Sequence, residues 1–182
     1  MIALARFLRR FRKDEAGSVT MIEFVIMVPL IFAAFMMSVE MGIYSMRQMF
    51  LDRGLDMTVR FVRLNTQTPM THDLLKTMIC TNAGFIPDCA TQLKLEMKPL
   101  NPRNFAAFDQ IADCVDTSAA VDPVRGFELG QEHELMILRA CYRFKPVFPT
   151  SGLGFAFDQN DPSGSGKKAK MISINAFVQE PG

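Results

Sequence analysis

The chain has 182 residues, 49% of them hydrophobic, and its 20 basic and 19 acidic side chains leave a formal net charge of +1. That balance gives no global electrostatic attraction to nucleic acid, while the apolar excess and a mean hydropathy of +0.13 point to contact with a membrane. The charge is uneven along the chain. Arg6, Arg9, Arg10, Arg12 and Lys13 all precede the first acidic residues, Asp14 and Glu15.

Residues 1–18 read as a basic leader. Val19 to Val39 is almost continuously apolar and has the roughly 20 residues that a helix needs to cross a bilayer, so a single transmembrane helix is expected over residues 19–43. Basic residues crowd its N-terminal side, while its far side opens with Glu40 and one nearby arginine, Arg47. The positive-inside rule then leaves the N-terminus in the cytoplasm and everything from about Tyr44 to Gly182 outside it. A cleaved secretory signal fits less well, because the apolar run is longer than the usual stretch of about 7–15 residues and carries Glu23 near its start. Pro29 marks a bend in a bilayer helix rather than its end. Glu40 falls where the far interface is wet, and a carboxylate there needs no partner.

Past Gly42 the pattern becomes amphipathic. Met46, Met49 and Phe50 form one apolar cluster and Leu55, Val59 and Val62 another, while Arg47, Asp52, Arg53, Asp56, Arg60 and Arg63 fill much of the remainder. The helix is expected to continue over residues 44–65, with Asp56 and Arg60 spaced to pair across one turn. The chain holds 14 Met, many in the first sixty residues, where thioethers fill irregular gaps between packed helices.

"TMIEFVIMVPLIF", with the basic segment ahead of it and "MRQMFLDRGLDMTVRFVRL" behind it, resembles the TadE/TadF group of pseudopilin-like proteins of tight adherence (Tad) pilus assembly systems. The resemblance implies a leader removed by a prepilin peptidase and a glutamate standing fifth in the mature chain. Counting back from Glu23 makes Val19 the first mature residue and Ser18 the last of the leader; a cut after Gly17 is the alternative register. Glu23 and Phe24 are similar to the Glu-Tyr pair of Flp-type pilins, with the hydroxyl missing. By this likeness the chain is a peptidase substrate rather than an enzyme. It has no cofactor, and its partners are inner-membrane lipid, the prepilin peptidase and other Tad pilus or pseudopilin subunits, with no nucleic acid. The role implied is that of a minor pseudopilin-like component, anchored in the inner membrane with its C-terminal domain in the periplasm. A rival from another class is a single-pass membrane-anchored periplasmic enzyme or sensor domain, and a third reading is a secreted soluble domain.

Residues 66–182 read as a periplasmic α+β domain. Cys80, Cys89, Cys114 and Cys141 all follow the apolar segment, where an oxidising compartment permits disulfides. Three pairings are possible. Gly84 and Pro87 let the chain turn back between Cys80 and Cys89, which favours that local pair together with Cys114–Cys141. No C-x-x-C pair is present, and the two histidines, His72 and His133, lack ligand spacing, so no metal site is expected. "MTHDLLKTMICTNAGF" predicts a helix capped by Thr71 and stopped at Gly84. "QLKLEMKPL" alternates Leu93, Leu95 and Met97 with Lys94, Glu96 and Lys98, the pattern of a strand with one buried face. "ELMILRACYRFKPVF" and "KMISINAFVQ" are further strands, separated by the Gly- and Ser-rich loop "DQNDPSGSGKKAK". A long N-terminal helix packed on a small antiparallel sheet follows, an α+β plan that is also pilin-like. The stretches at Ser151, Ser163 and Gly166 read as turns and loop tips rather than phosphate loops.

Overall fold

A computed structural model of the chain describes residues 16–65, 70–103, 111–115, 126–148, 153 and 169–181, with side chains from residue 20 onward. The fold is α+β. Its elements in chain order are helix α1 (Ala16–Leu64), helix α2 (His72–Ala83), the single turn α3 (Cys89–Gln92) and strands β1 (Leu93–Pro99), β2 (Leu135–Phe144) and β3 (Ala169–Val178). The chain divides into two compact units, residues 1–39 and 40–182. The glycine-rich stretches at Ser151, Ser163 and Gly166 lie outside the described residues, Leu153 excepted.

Among the described residues the first unit is helix throughout. From Thr20 through Phe35 each side chain is exposed, and α1 is long and apolar enough to cross a membrane, with mean hydropathy 2.3 over its most apolar window. Pro29 sits inside the helix without ending it, and Ser38 donates its hydroxyl back to the Ala34 carbonyl at 2.9 Å.

The second unit is built on a three-stranded antiparallel meander in the order β1-β2-β3. Leu95 faces Ala140, and Leu138 faces Asn175. This register lines one face with Leu93, Leu95 and Met97 from β1, Met136, Leu138, Tyr142 and Phe144 from β2, and Met171 and Phe177 from β3, all buried. Leu51, Leu55, Val59 and Val62 of α1 and Leu75, Ile79 and Ala83 of α2 complete the same core. Of the two apolar clusters expected on α1, the second therefore enters the core, with Leu51 added. Met46 and Met49 stay exposed, and Phe50 stacks on Phe85 with ring centroids 5.6 Å apart.

Polar bonds fix α1 along β3. Gln48 Nε2 donates to the Ile172 carbonyl at 3.1 Å, Asn175 Nδ2 to Asp56 Oδ1 at 2.5 Å, and Arg63 pairs with Glu180 at 2.8 Å. Helix and strand run in the same direction. The Asp56 carboxylate thus takes a donor from the sheet rather than the guanidinium one turn along its own helix. Gly54 sets the approach of α1 to α2, since a Cβ there would meet the Ile79 carbonyl oxygen at 2.7 Å. Thr71 caps α2 by accepting from the Leu74 N–H, and Gly84, at φ 56°, ends it by donating to the Cys80 carbonyl.

The single buried face expected of β1 is only half of what occurs. Lys94 and Glu96, on the opposite face, are 4% and 7% exposed. Segment 111–115 lies over them: Lys94 Nζ meets Asp113 Oδ2 at 3.0 Å, the Asp113 N–H donates to Glu96 Oε2 at 3.2 Å, and Arg139 donates to both Glu96 and the Ile111 carbonyl. The disulfide Cys114–Cys141 joins that segment to β2, and Cys80–Cys89 closes the turn between α2 and α3. Alternation of polar residues marks a face correctly but cannot say whether another segment will cover it.

Candidate assembly surface and membrane exit

The first candidate site is the exposed apolar surface of α1. Met21 is 74% exposed, Phe24 68% and Ile31 67%, far more apolar surface than a protein in water leaves uncovered along one element. Such a surface is suited to lipid or to another chain. Within this surface Glu23 is exposed, and among the described residues nothing bonds to its carboxylate. A carboxylate within a bilayer is costly without a partner, and in this unit the partner is not supplied by the chain's own described residues. The backbone of Gly17, Ser18 and Val19 is helical, but their side chains lie outside the described residues.

Glu40, the other carboxylate bounding the apolar run, is differently placed. It is 7% exposed, and its two oxygens accept from consecutive backbone amides, Val147 N–H to Oε1 at 2.9 Å and Phe148 N–H to Oε2 at 2.8 Å. The expectation that it needs no partner fails because the chain returns after β2 and buries it. A buried carboxylate is tolerable only when such donors replace its water.

Around that return lies an aromatic cluster. Tyr44 packs on Phe144 with centroids 5.8 Å apart, Tyr142 stacks on Phe144 at 6.1 Å, and the Arg47 guanidinium carbon stands 5.3 Å from the Phe144 centroid. The Tyr142 hydroxyl donates to the Pro87 carbonyl at 2.6 Å, fixing the turn that carries Phe85. Burial pushes the Tyr142 phenol up to about 12, with Arg47 opposing and Asp88 adding to the rise; burial raises the Tyr44 phenol as well. Among the described residues no group of three or more His, Cys, Asp or Glu side chains is placed to hold a metal ion.

Sequence reasoning placed Glu23 and Phe24 on the apolar helix and missed Glu40, Lys94, Glu96 and Arg139. A signal for Glu40 does exist: the apolar pair Val147 and Phe148 follows Pro146 just past β2, outside any strand, and its amides need acceptors. Nothing local, however, pairs it with a residue more than a hundred positions earlier.

The family described as TadE-like protein matches residues 17–60. That segment is similar to the TadE-like family. It takes in Glu23 and Phe24, the clasped Glu40, Gly54 and the core residues Leu51, Leu55 and Val59. The match supports a component related to the Tad pilus, in keeping with the resemblance of "TMIEFVIMVPLIF", and α1, the one helix among the described residues long and apolar enough to cross a membrane, is consistent with single-pass anchoring. No curated protein and no solved structure matches the chain.

Proposed function

We propose that this chain is a minor pseudopilin-like component of Tad pilus assembly, anchored in the inner membrane by α1, with its N-terminus cytoplasmic and residues 44–182 periplasmic, and acting by association with other subunits rather than by catalysis. The observation that carries the reading is Glu23, set without a partner among the described residues on an exposed apolar helix inside the TadE-like segment. Cutting after Ser18 would free an α-amine at Val19, with a reference pKa of about 8. The Glu23 carboxylate of one subunit offsets that charge on a neighbour, so that burial of the apolar helix surface and neutralisation of the amine are achieved together. Phe24 adds apolar area beside the pair.

The test is Glu23→Ala in the full chain. The variant should still fractionate with the membrane and still be cut, as read by the mass of the mature N-terminus with and without the prepilin peptidase, while surface pili and adherence are lost. Normal piliation by the variant would remove the role given to Glu23. A mature chain that begins at Met1, or far downstream near residue 40, would remove the pseudopilin reading itself.

A further inference from the structure

The surroundings of Glu40 carry a second kind of contact. Glu40 follows directly on Val39, the end of the apolar run, so residues 40–47 are the first of the chain beyond that run. In an anchored chain this is the headgroup layer, since a bilayer is about 30 Å thick in its hydrocarbon core and about 40–45 Å with its polar regions.

At this level the head is apolar outside. Met46 is 45% exposed, Val147 45% and Phe85 64%, and together with Ile86 and Pro87 they line an open groove of about 680 Å³. Neither tip is on a loose strand of chain. Phe85 sits in the turn closed by Cys80–Cys89 and Gly84, and Val147 is held by its N–H on Glu40. Two cations stand among these tips: Arg47 in the groove wall, and the exposed Lys145 two residues before Val147. Of the acids nearby, the Glu40 carboxylate is occupied by two amides, and Asp88 is exposed next to the Pro87 end.

We propose that this end of the head is a phospholipid-docking patch, in which Phe85, Val147 and Met46 enter the headgroup–acyl boundary and Arg47 and Lys145 meet lipid phosphates. The proposal rests on the membrane-anchored reading above. Apolar side chains flanked by basic ones are what an interfacial surface requires, with apolar groups buried about 5–10 Å at the boundary. Glu40 is then a positioning residue: it touches no lipid, but keeps the Val147 tip beside the first residue after the apolar run. Charge complementarity and direct continuity with the apolar run favour lipid over a protein occupant.

Because the chain contains no Trp, single Trp variants are clean reporters of depth. The full chain would be reconstituted in vesicles of phosphatidylethanolamine and phosphatidylglycerol brominated near the headgroup, carrying Phe85→Trp, Val147→Trp, Phe32→Trp for the span, or Leu129→Trp for the far end of the sheet. Bromine should remove about half or more of the emission from the Phe85→Trp and Val147→Trp variants and little from Leu129→Trp. Adding Glu40→Gln should restore the Val147→Trp emission and leave Phe85→Trp quenched. Quenching of Phe32→Trp alone overturns the docking patch and leaves the anchor standing, whereas no quenching of Phe32→Trp overturns the anchor as well. Blue-shifted emission from Phe85→Trp that bromine does not touch, and that grows with protein-to-lipid ratio, would assign the groove to a protein partner and overturn the lipid proposal.

Discussion

Helix α1 contains two regions that solve burial in opposite ways. From Met21 to Phe35 its side chains are all exposed, with apolar groups on every side. From Leu51 to Val62, Leu51, Leu55, Val59 and Val62 are exposed by 4% or less, while Asp52, Arg53, Asp56 and Arg60 face water. The spacing of four, four and three residues gives one apolar stripe, which α2 and the sheet cover. The first region has no stripe, and on the membrane-anchored reading a surrounding that is apolar in all directions requires none. The two carboxylates follow the same division: Glu40 is satisfied inside its unit by two amides, and Glu23 has no described partner in its own. Where the chain completes its own contacts, substitutions should be read in stability. Where it does not, they should be read in membrane placement and assembly.

The largest expected effect is at the buried ion pair of the second unit. Arg139 is 3% exposed and bonded to Glu96, itself 7% exposed. Arg139→Met takes the guanidinium from the buried Glu96 carboxylate and leaves it only the half-exposed Lys98 ammonium at 4.0 Å, and should cost about 3–5 kcal/mol in denaturant unfolding of the detergent-solubilised chain. The double variant Arg139→Met with Glu96→Leu should recover most of that loss, since an apolar pair of similar volume removes the uncompensated charge. Equal instability of the single and double variants would show that the pair matters through its other bonds, to Ile111 and Asp113, more than through its charge.

A second pair of substitutions tests the division along α1 directly. Leu55→Ala deletes a side chain that is 1% exposed in the core and should destabilise the head by about 3 kcal/mol. Phe32→Ala removes a larger side chain that is 57% exposed, and should change head stability by no more than about 0.5 kcal/mol while weakening insertion or assembly. The same unfolding curve, followed by circular dichroism, reads both. A comparable loss from Phe32→Ala would mean that the apolar helix is packed within the chain, and the contrast between the two regions would collapse.

How much of this was readable beforehand depends on the range of the forces. The α+β plan, the apolar helix, the Thr71 cap and the stop at Gly84 rest on neighbours a few residues apart, and the sequence displays them. So does the buried triplet Leu93, Leu95 and Met97, because a period of two survives any tertiary arrangement. The second face of β1 was unreadable in the same terms. Lys94 and Glu96 look solvated until Asp113 and Arg139, from separate parts of the chain, arrive over them. Glu40 is the same case at longer range, its donors lying at Val147 and Phe148. Met46 and Met49 mislead for the opposite reason: their apolar spacing is genuine, but it faces outward, and composition alone does not say what it meets. At the proposed peptidase site, the register between Gly17 and Ser18 would be a matter of recognition by another protein, which no packing rule within this chain decides.

The smallest expected effect isolates environment from chemistry. Arg63 and Glu180 form an ion pair at 2.8 Å, but their side chains are 45% and 46% exposed, against 4% and 8% for Arg139 and Glu96. Water screens the exposed pair in both the folded and unfolded states, and ordering two long side chains offsets part of its attraction. Arg63→Gln should therefore shift the unfolding free energy by no more than about 0.5 kcal/mol, and added salt should erase the difference. The Arg139→Met loss should persist in the same salt, because burial excludes the ions that would screen it. A large, salt-resistant loss from Arg63→Gln would mean that the C-terminal end of α1 depends on this one tie to the segment just past β3, and the Gln48 and Asp56 bonds to β3 itself would then be too weak to hold the helix in register.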